Sequence, residues 1–206
     1  MGGPGRTYGG KSAMERASER RQRLVEATIG VLADQGAART TMTAVCAAAG
    51  LTERYFYESF ANLEEVMVAA VDAVADEIAQ LAVRSLAASG TPESRVHAMA
   101  SALVHLLATS PARIRVAVVE STANAGLRAR RHELLEMFAE LFAGEAASLY
   151  GEDAWPPAQA RLHGLVYAAG LAELVAVRLT GELTMSDEEL VAVAGALFTS
   201  VSRRAD

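Results

Sequence analysis

Apolar side chains recur at Leu24, Ala27, Val31 and Leu32, with the methyl of Thr28 completing the row. That is the i, i+3, i+4, i+7, i+8 spacing of one helix face. The pattern predicts a first helix that starts within "MERASERRQRLVEATIGVLADQG" and stops at Gly36. A short second helix follows over "MTAVCAAA", with Thr40 or Thr41 as N-cap and Gly50 at its end. Val45 and Ala48 are expected to face inward, with Cys46 near them as a small packed residue. Thr52 then caps a third helix, "ERYFYESF". At about 100° per residue, Phe56 and Phe60 share one face. Arg54, Tyr55, Glu58 and Ser59 point the other way, with Tyr57 on the flank. So four of the chain's eleven aromatic rings sit in six positions, two facing the core and two at the surface.

Two short helices around a tight turn have the geometry of a helix-turn-helix, whose second helix enters a DNA major groove. From Leu63 the pattern becomes one long amphipathic helix, broken at "SGTPES". Thr91 as N-cap and Pro92 at the first helical position open another, to about Thr109. Pro111 starts a short helix over roughly 111–120, "STANAG" turns, and "LRARRHELLEMFAELFAGEAASLY" places Leu134, Leu135, Phe138, Leu141 and Phe142 inward. "GEDAWPP" is a loop, 158–180 a long apolar helix, and Ser186 with Glu189 forms a capping box for a last helix to about Arg203. The fold class is all-α, with about nine helices and no convincing strand. Three segments are expected: a flexible glycine-rich arm over 1–19, a three-helix head over 20–62, and a helical body over 63–206. Arg6 and Lys11 put two cations in the arm, within reach of a phosphate backbone.

Composition sharpens this picture in two places. The net charge of −6 looks wrong for a nucleic-acid binder, but it is unevenly spread. Residues 1–60 hold eight Lys/Arg against six Asp/Glu, and residues 61–206 hold eleven against nineteen. A mildly basic head on an acidic body is compatible with DNA binding by the head alone. The single cysteine cannot form an internal disulfide, which points to a reducing, cytoplasmic setting. No signal-peptide pattern and no uninterrupted apolar run of membrane-spanning length is visible, so no membrane partner is expected.

At "QG", "TTMTAVCAAAG", "LTERYFYESF" and "LEEV" the sequence resembles the TetR family of transcriptional regulators over about residues 23–66, most specifically in the spacing of Tyr57 to Phe60. The resemblance implies a DNA-binding head on a divergent body that binds a ligand and dimerises. It implies groove or phosphate contacts from Thr41 and Thr43, and a phosphate at the backbone amide of Thr52. Glu53, Arg54 and Tyr55 would read base edges, Tyr57 would touch phosphate or a thymine methyl, and Ser59 would lie against the backbone. Three positions depart from the family pattern: Leu63 where a lysine is frequent, Arg54 where a small residue is frequent, and Thr43 where an arginine is frequent. They move base reading towards Arg54, a guanine reader, with Glu53 either accepting from cytosine or pinning Arg54.

For the body, the resemblance makes Met99, Leu103, Leu107, Phe138, Phe142 and Tyr167 candidates for lining a ligand pocket, or else ordinary core. Arg115, Glu120 and Asn124 stand near a predicted helix break and are candidates for orienting a polar group on the ligand. Trp155 is a lid or a packing anchor. The small residues of the last two helices fit the family's four-helix dimer interface. Expected partners are therefore operator DNA, a small apolar effector and a second copy of the chain. His97, His105, His132 and His163 lack companion ligands, "HELLE" lacks a second histidine, and no phosphate loop, nucleophile elbow or CxxC occurs. No metal, cofactor or catalytic residue is expected. Taken together, the sequence reads as a ligand-responsive repressor. The alternatives are a helical small-molecule carrier or enzyme whose N-terminal helices only pack, and a DNA-binding head on a protein-partner module without a pocket.

Overall fold

The computed structural model describes residues 12–204, so the first part of the expected arm, with Arg6 and Lys11, lies outside the described residues. Among those described, nine α-helices run in order: α1 Ala13–Gln35, α2 Met42–Ala49, α3 Glu53–Ser59, α4 Leu63–Leu86, α5 Pro92–Thr109, α6 Pro111–Val118, α7 Ala125–Tyr150, α8 Pro157–Leu179 and α9 Asp187–Ser202. Three 3₁₀ turns join them, and the sole extended pairing among these residues is an isolated bridge between Ala154 and Arg203.

Helix α1 begins earlier than the apolar stripe alone suggests. Ser12 and Glu15 form a capping box: the Glu15 amide donates to Ser12 Oγ at 3.1 Å and the Ser12 amide to the Glu15 carboxylate at 2.5 Å. Those bonds to Ser12 hold the Glu15 carboxyl below its ordinary range. Residues 13–19, expected in the arm, are therefore helical. Thr41, not Thr40, caps α2 by accepting from the Ala44 amide, while Thr40 is buried and donates to the Gly36 carbonyl. Gly50 ends α2 in the left-handed conformation (φ 60°). The inward face of α2 is Val45, Cys46 and Ala49, one position on from the expected Ala48, which is exposed. Burial pushes the Cys46 thiol up, as suits a packed residue.

One apolar core runs through the head and out of it. Leu24, Leu32, Val45, Phe56 and Phe60 of the head join Val66, Val71 and Val74 of α4, Val116 of α6 and Leu127 and Leu134 of α7. A second cluster is built around Phe142, Tyr167 and Phe198, whose rings lie 4.7–5.5 Å apart by centroid. Helix α8 contributes to the body with only Ala160, Gly164 and Tyr167 buried. Its outward face is apolar: Leu162 and Val166 are 63% and 65% exposed. Although Arg161, His163, Glu173 and Arg178 interrupt it, α8 is long and apolar enough to cross a membrane by length and composition alone.

Helices α7 and α8 meet at backbone distance. A Cβ at Gly164 would stand 2.7 Å from the Ala139 carbonyl oxygen and 2.9 Å from the Phe142 ring. A Cβ at Gly144, in the middle of α7, would meet nothing within 4 Å. Gly164→Ala is therefore expected to lower stability by about 1–3 kcal/mol in urea unfolding, and Gly144→Ala to raise it by about 0.5–1 kcal/mol. Equal effects at the two sites would contradict the close crossing.

Candidate functional site

Helix α3 is seven residues long, too short to hold itself together in water. Its inner face anchors it. Phe56 and Phe60 are 0% and 2% exposed, with ring centroids 6.1 Å apart, and the Arg21 guanidinium lies 4.0 Å over the Phe60 ring. Arg21 also donates to the Ser59 carbonyl at 2.8 Å, and Arg23 reaches across to the Ala49 carbonyl at the end of α2. Two arginines of α1 thus satisfy the last carbonyls of both short helices.

The outer face of α3 is what this anchoring presents. Thr52, Glu53, Arg54, Tyr55 and Tyr57 are exposed, and so are Thr41, the α2 cap, and Thr43 of α2 in the same head. Thr52 holds the N-cap position through its backbone, without a side-chain cap bond, which leaves its hydroxyl uncommitted to the helix. Ser59 is half-buried and its hydroxyl donates to the Tyr55 carbonyl. The Arg20 guanidinium sits 4.7 Å over the Tyr55 ring. Arg54 is pinned by Glu58 at 3.1 Å, not by Glu53, and Arg20 takes the other oxygen of Glu58 at 3.5 Å.

The head is wired to the body at two points. Arg113 of α6 bridges Glu26 of α1 at 2.6 Å and Glu77 of α4 at 2.8 Å. Those two carboxylates offset its desolvation and hold its charge more firmly than usual. Glu120, just past α6, is 7% exposed. Its carboxylate accepts from the Ala37 amide at 2.9 Å, beside Gly36 (φ 77°), and pairs with Arg115 at 3.4 Å. Arg115 and Glu120, expected near a ligand, are not among the residues that line the cavity described below; they pair with each other, and Glu120 with the head. Asn124 caps α7 by accepting from the Leu127 amide.

The six apolar candidates do converge. Met99, Leu103, Leu107, Phe138, Phe142 and Tyr167 all line a cavity of about 200 Å³ between α4, α5, α6, α7, α8 and α9. Ile114, Ala117 and Val118 form its α6 wall. Burial pushes the Tyr167 phenol well up, so it stays a neutral donor, reaching the Ala194 carbonyl at 3.4 Å. Arg131 and Glu145, the cavity's two charged liners, are not foreseen from the sequence. Both lie on α7 among apolar positions, and only the packing of the other helices shows which face they join. Trp155 lies outside this cavity, edge-on to His163 at 4.7 Å. Among the described residues no three His, Cys, Asp or Glu side chains gather as a metal site requires.

The arrangement is an exposed short helix on a helix-turn-helix head, fused to a cavity-bearing helical body. Residues 24–70 match the family described as "Bacterial regulatory proteins, tetR family". Over 80 residues the chain is 30% identical to the HTH-type transcriptional regulator BetI of Rhizobium meliloti (strain 1021), a match covering 39% of each. The match thus spans about two fifths of that curated relative. The whole fold resembles FadR of Bacillus subtilis, solved with stearoyl-CoA, with a TM-score of 0.70 at 17% identity over 88% of this chain and 97% of that one. It also resembles a transcriptional regulator of Pseudomonas aeruginosa PAO1, with a TM-score of 0.72 at 18% identity over 89% and 90%. The family match is thus confined to the head, and the chain as a whole shares the fold of these structures.

The Arg54–Glu58 pair is an exposed i,i+4 contact. A double-mutant cycle read by chemical denaturation is expected to give about 0.3–0.5 kcal/mol. A coupling above roughly 1.5 kcal/mol would mean that Arg54 is committed to the fold and not available at the surface.

Proposed function

We propose that the chain is a ligand-responsive transcriptional repressor that works in the cytoplasm as a homodimer and has no catalytic role. The observation that carries this reading is the outer side of α3: Glu53, Arg54, Tyr55 and Tyr57, with the capping Thr52, are exposed while Phe56 and Phe60 beneath them are buried. Thr41, Thr43 and Thr52 would take phosphates, Glu53, Arg54 and Tyr55 would read base edges, and Tyr57 and Ser59 would flank them. Releasing Arg54 from Glu58 costs a few tenths of a kcal/mol, whereas a bidentate guanine contact discriminates by about 1–3 kcal/mol, so the exchange favours DNA. The apolar outward face of α8, with Val193 of α9 43% exposed, supports a dimer through the last two helices. Two heads related by a two-fold axis would then meet half-sites roughly 34–36 Å apart.

The 200 Å³ cavity supports a largely apolar effector, in keeping with the acyl-CoA bound by the FadR fold relative. Like α4 and α7, α6 touches both cavity and head: it lines the cavity with Ile114, Ala117 and Val118, and carries Arg113 and, just beyond its end, Glu120 to α1 and the Gly36 turn. A ligand that prefers a displaced α6 would move the heads relative to the body and lower operator affinity. This route complements α4, whose first turns lie in the head core.

With genomic operator fragments, binding should weaken steeply as salt rises, as counterion release requires. Arg54→Ala should flatten base preference at one half-site position by about 1–3 kcal/mol without altering thermal unfolding. Salt-independent binding, or an unchanged preference in the variant, would refute the proposed reading face. Glu120→Ala should leave effector affinity within about twofold while shrinking the effector-induced loss of operator affinity, a coupling ordinarily worth about 1–3 kcal/mol. An undiminished response in that variant would show that the signal bypasses Glu120.

A further inference from the structure

We infer that the cavity takes an elongated amphiphile with one anionic group, a long-chain carboxylate, held by Arg131 at the end of the cavity nearer the head. This rests on the reading of the cavity as the effector site, and names its ligand class. Three observations carry it. First, the cavity is elongated along α7. Arg131 and Glu145 both line it and are fourteen positions apart, which at 1.5 Å per residue separates them by about 21 Å along the helix. Second, all else that lines it is apolar save the Tyr167 phenol, which is engaged with Ala194. Third, Arg131 and Glu145 are half-buried and, among the described residues, neither has an ion pair or hydrogen bond, unlike the neighbouring Arg130, held by Asp72 and Glu133 at 2.6 Å each.

The two charges do not constrain a ligand equally. A guanidinium cannot shed its charge, and its planar fork of donors matches a carboxylate. Arg131 is thus the fixed charge that an incoming group must answer. Its flanks on α7, Leu127 and Leu134, belong to the core shared with the head, whereas Glu145 is near Phe142 and Ala146 in the aromatic cluster. The anionic group would therefore sit at the head-proximal end, with the chain running towards Phe142, Tyr167 and Phe198.

Dodecanoate, dodecanol and dodecylamine, titrated calorimetrically into the full-length protein, test this. Dodecanoate should bind at least roughly tenfold more tightly than dodecanol, the ratio expected of one desolvated charge-assisted contact. Arg131→Gln should abolish that advantage while dodecanol binding persists, which also reports an intact cavity. Arg131→Lys should restore part of it. Equal binding of the three probes, tighter binding of the amine, or a parallel loss of dodecanol in Arg131→Gln would overturn the assignment to Arg131 and leave the apolar effector site standing. If neither dodecanol nor dodecanoate binds the wild-type chain, the effector-site reading falls with it.

Discussion

The apolar core that passes without a break from α1, α2 and α3 into α4, α6 and α7 is the constraint on which the rest depends. The head is too small to bury enough surface alone, and α3 is too short to be helical by itself. Both borrow their stability from side chains such as Val66, Val116 and Leu127 that belong to the body. The exposed face of α3 exists because Phe56 and Phe60 are held down from beneath, which leaves Arg54, Tyr55 and Tyr57 on the outer side. Mechanical continuity between head and body follows from the same burial: neither can reorient without disturbing a shared set of contacts.

Polar contacts add direction to that continuity. Buried or half-buried ion pairs contribute modestly to net stability, since desolvation offsets much of their attraction. Arg113 and Glu120 matter for where they reach. Arg113 joins α6 to α1 and α4, and Glu120 satisfies an amide at the turn that leads from α1 towards α2. An unpaired Ala37 amide would cost about 1–3 kcal/mol, so the contact specifies a unique seating of the head on α6.

Much of this was legible in the sequence, for identifiable reasons. Helix order and ends followed from apolar period and from capping chemistry, as with Ser186 and Glu189, whose reciprocal bonds form as the spacing demands. The division of α3 into a buried and an exposed face followed from the 100° step alone. The errors fall where local pattern is silent. Ala48 and Ala49 are chemically identical, so only the crossing of α1 and α2 decides which is buried. Arg115 and Glu120 were legible as polar residues near a helix break, but Glu120's partner in the head, the Ala37 amide, is 83 residues away in the chain. Nothing in the spacing separates Arg131 and Glu145 from the other charged residues of α7; the helices that close around it do.

The close crossing at Gly164 makes the cavity mechanically lopsided. With a glycine against the Ala139 carbonyl, α7 and α8 are packed too tightly to slide or part, and that wall is stiff. Another wall is α6, two turns long and ending in a 3₁₀ turn at Glu120. Under the proposed reading, an occupant's bulk would be felt at α6, the short wall joined to the head, before it could part α7 from α8.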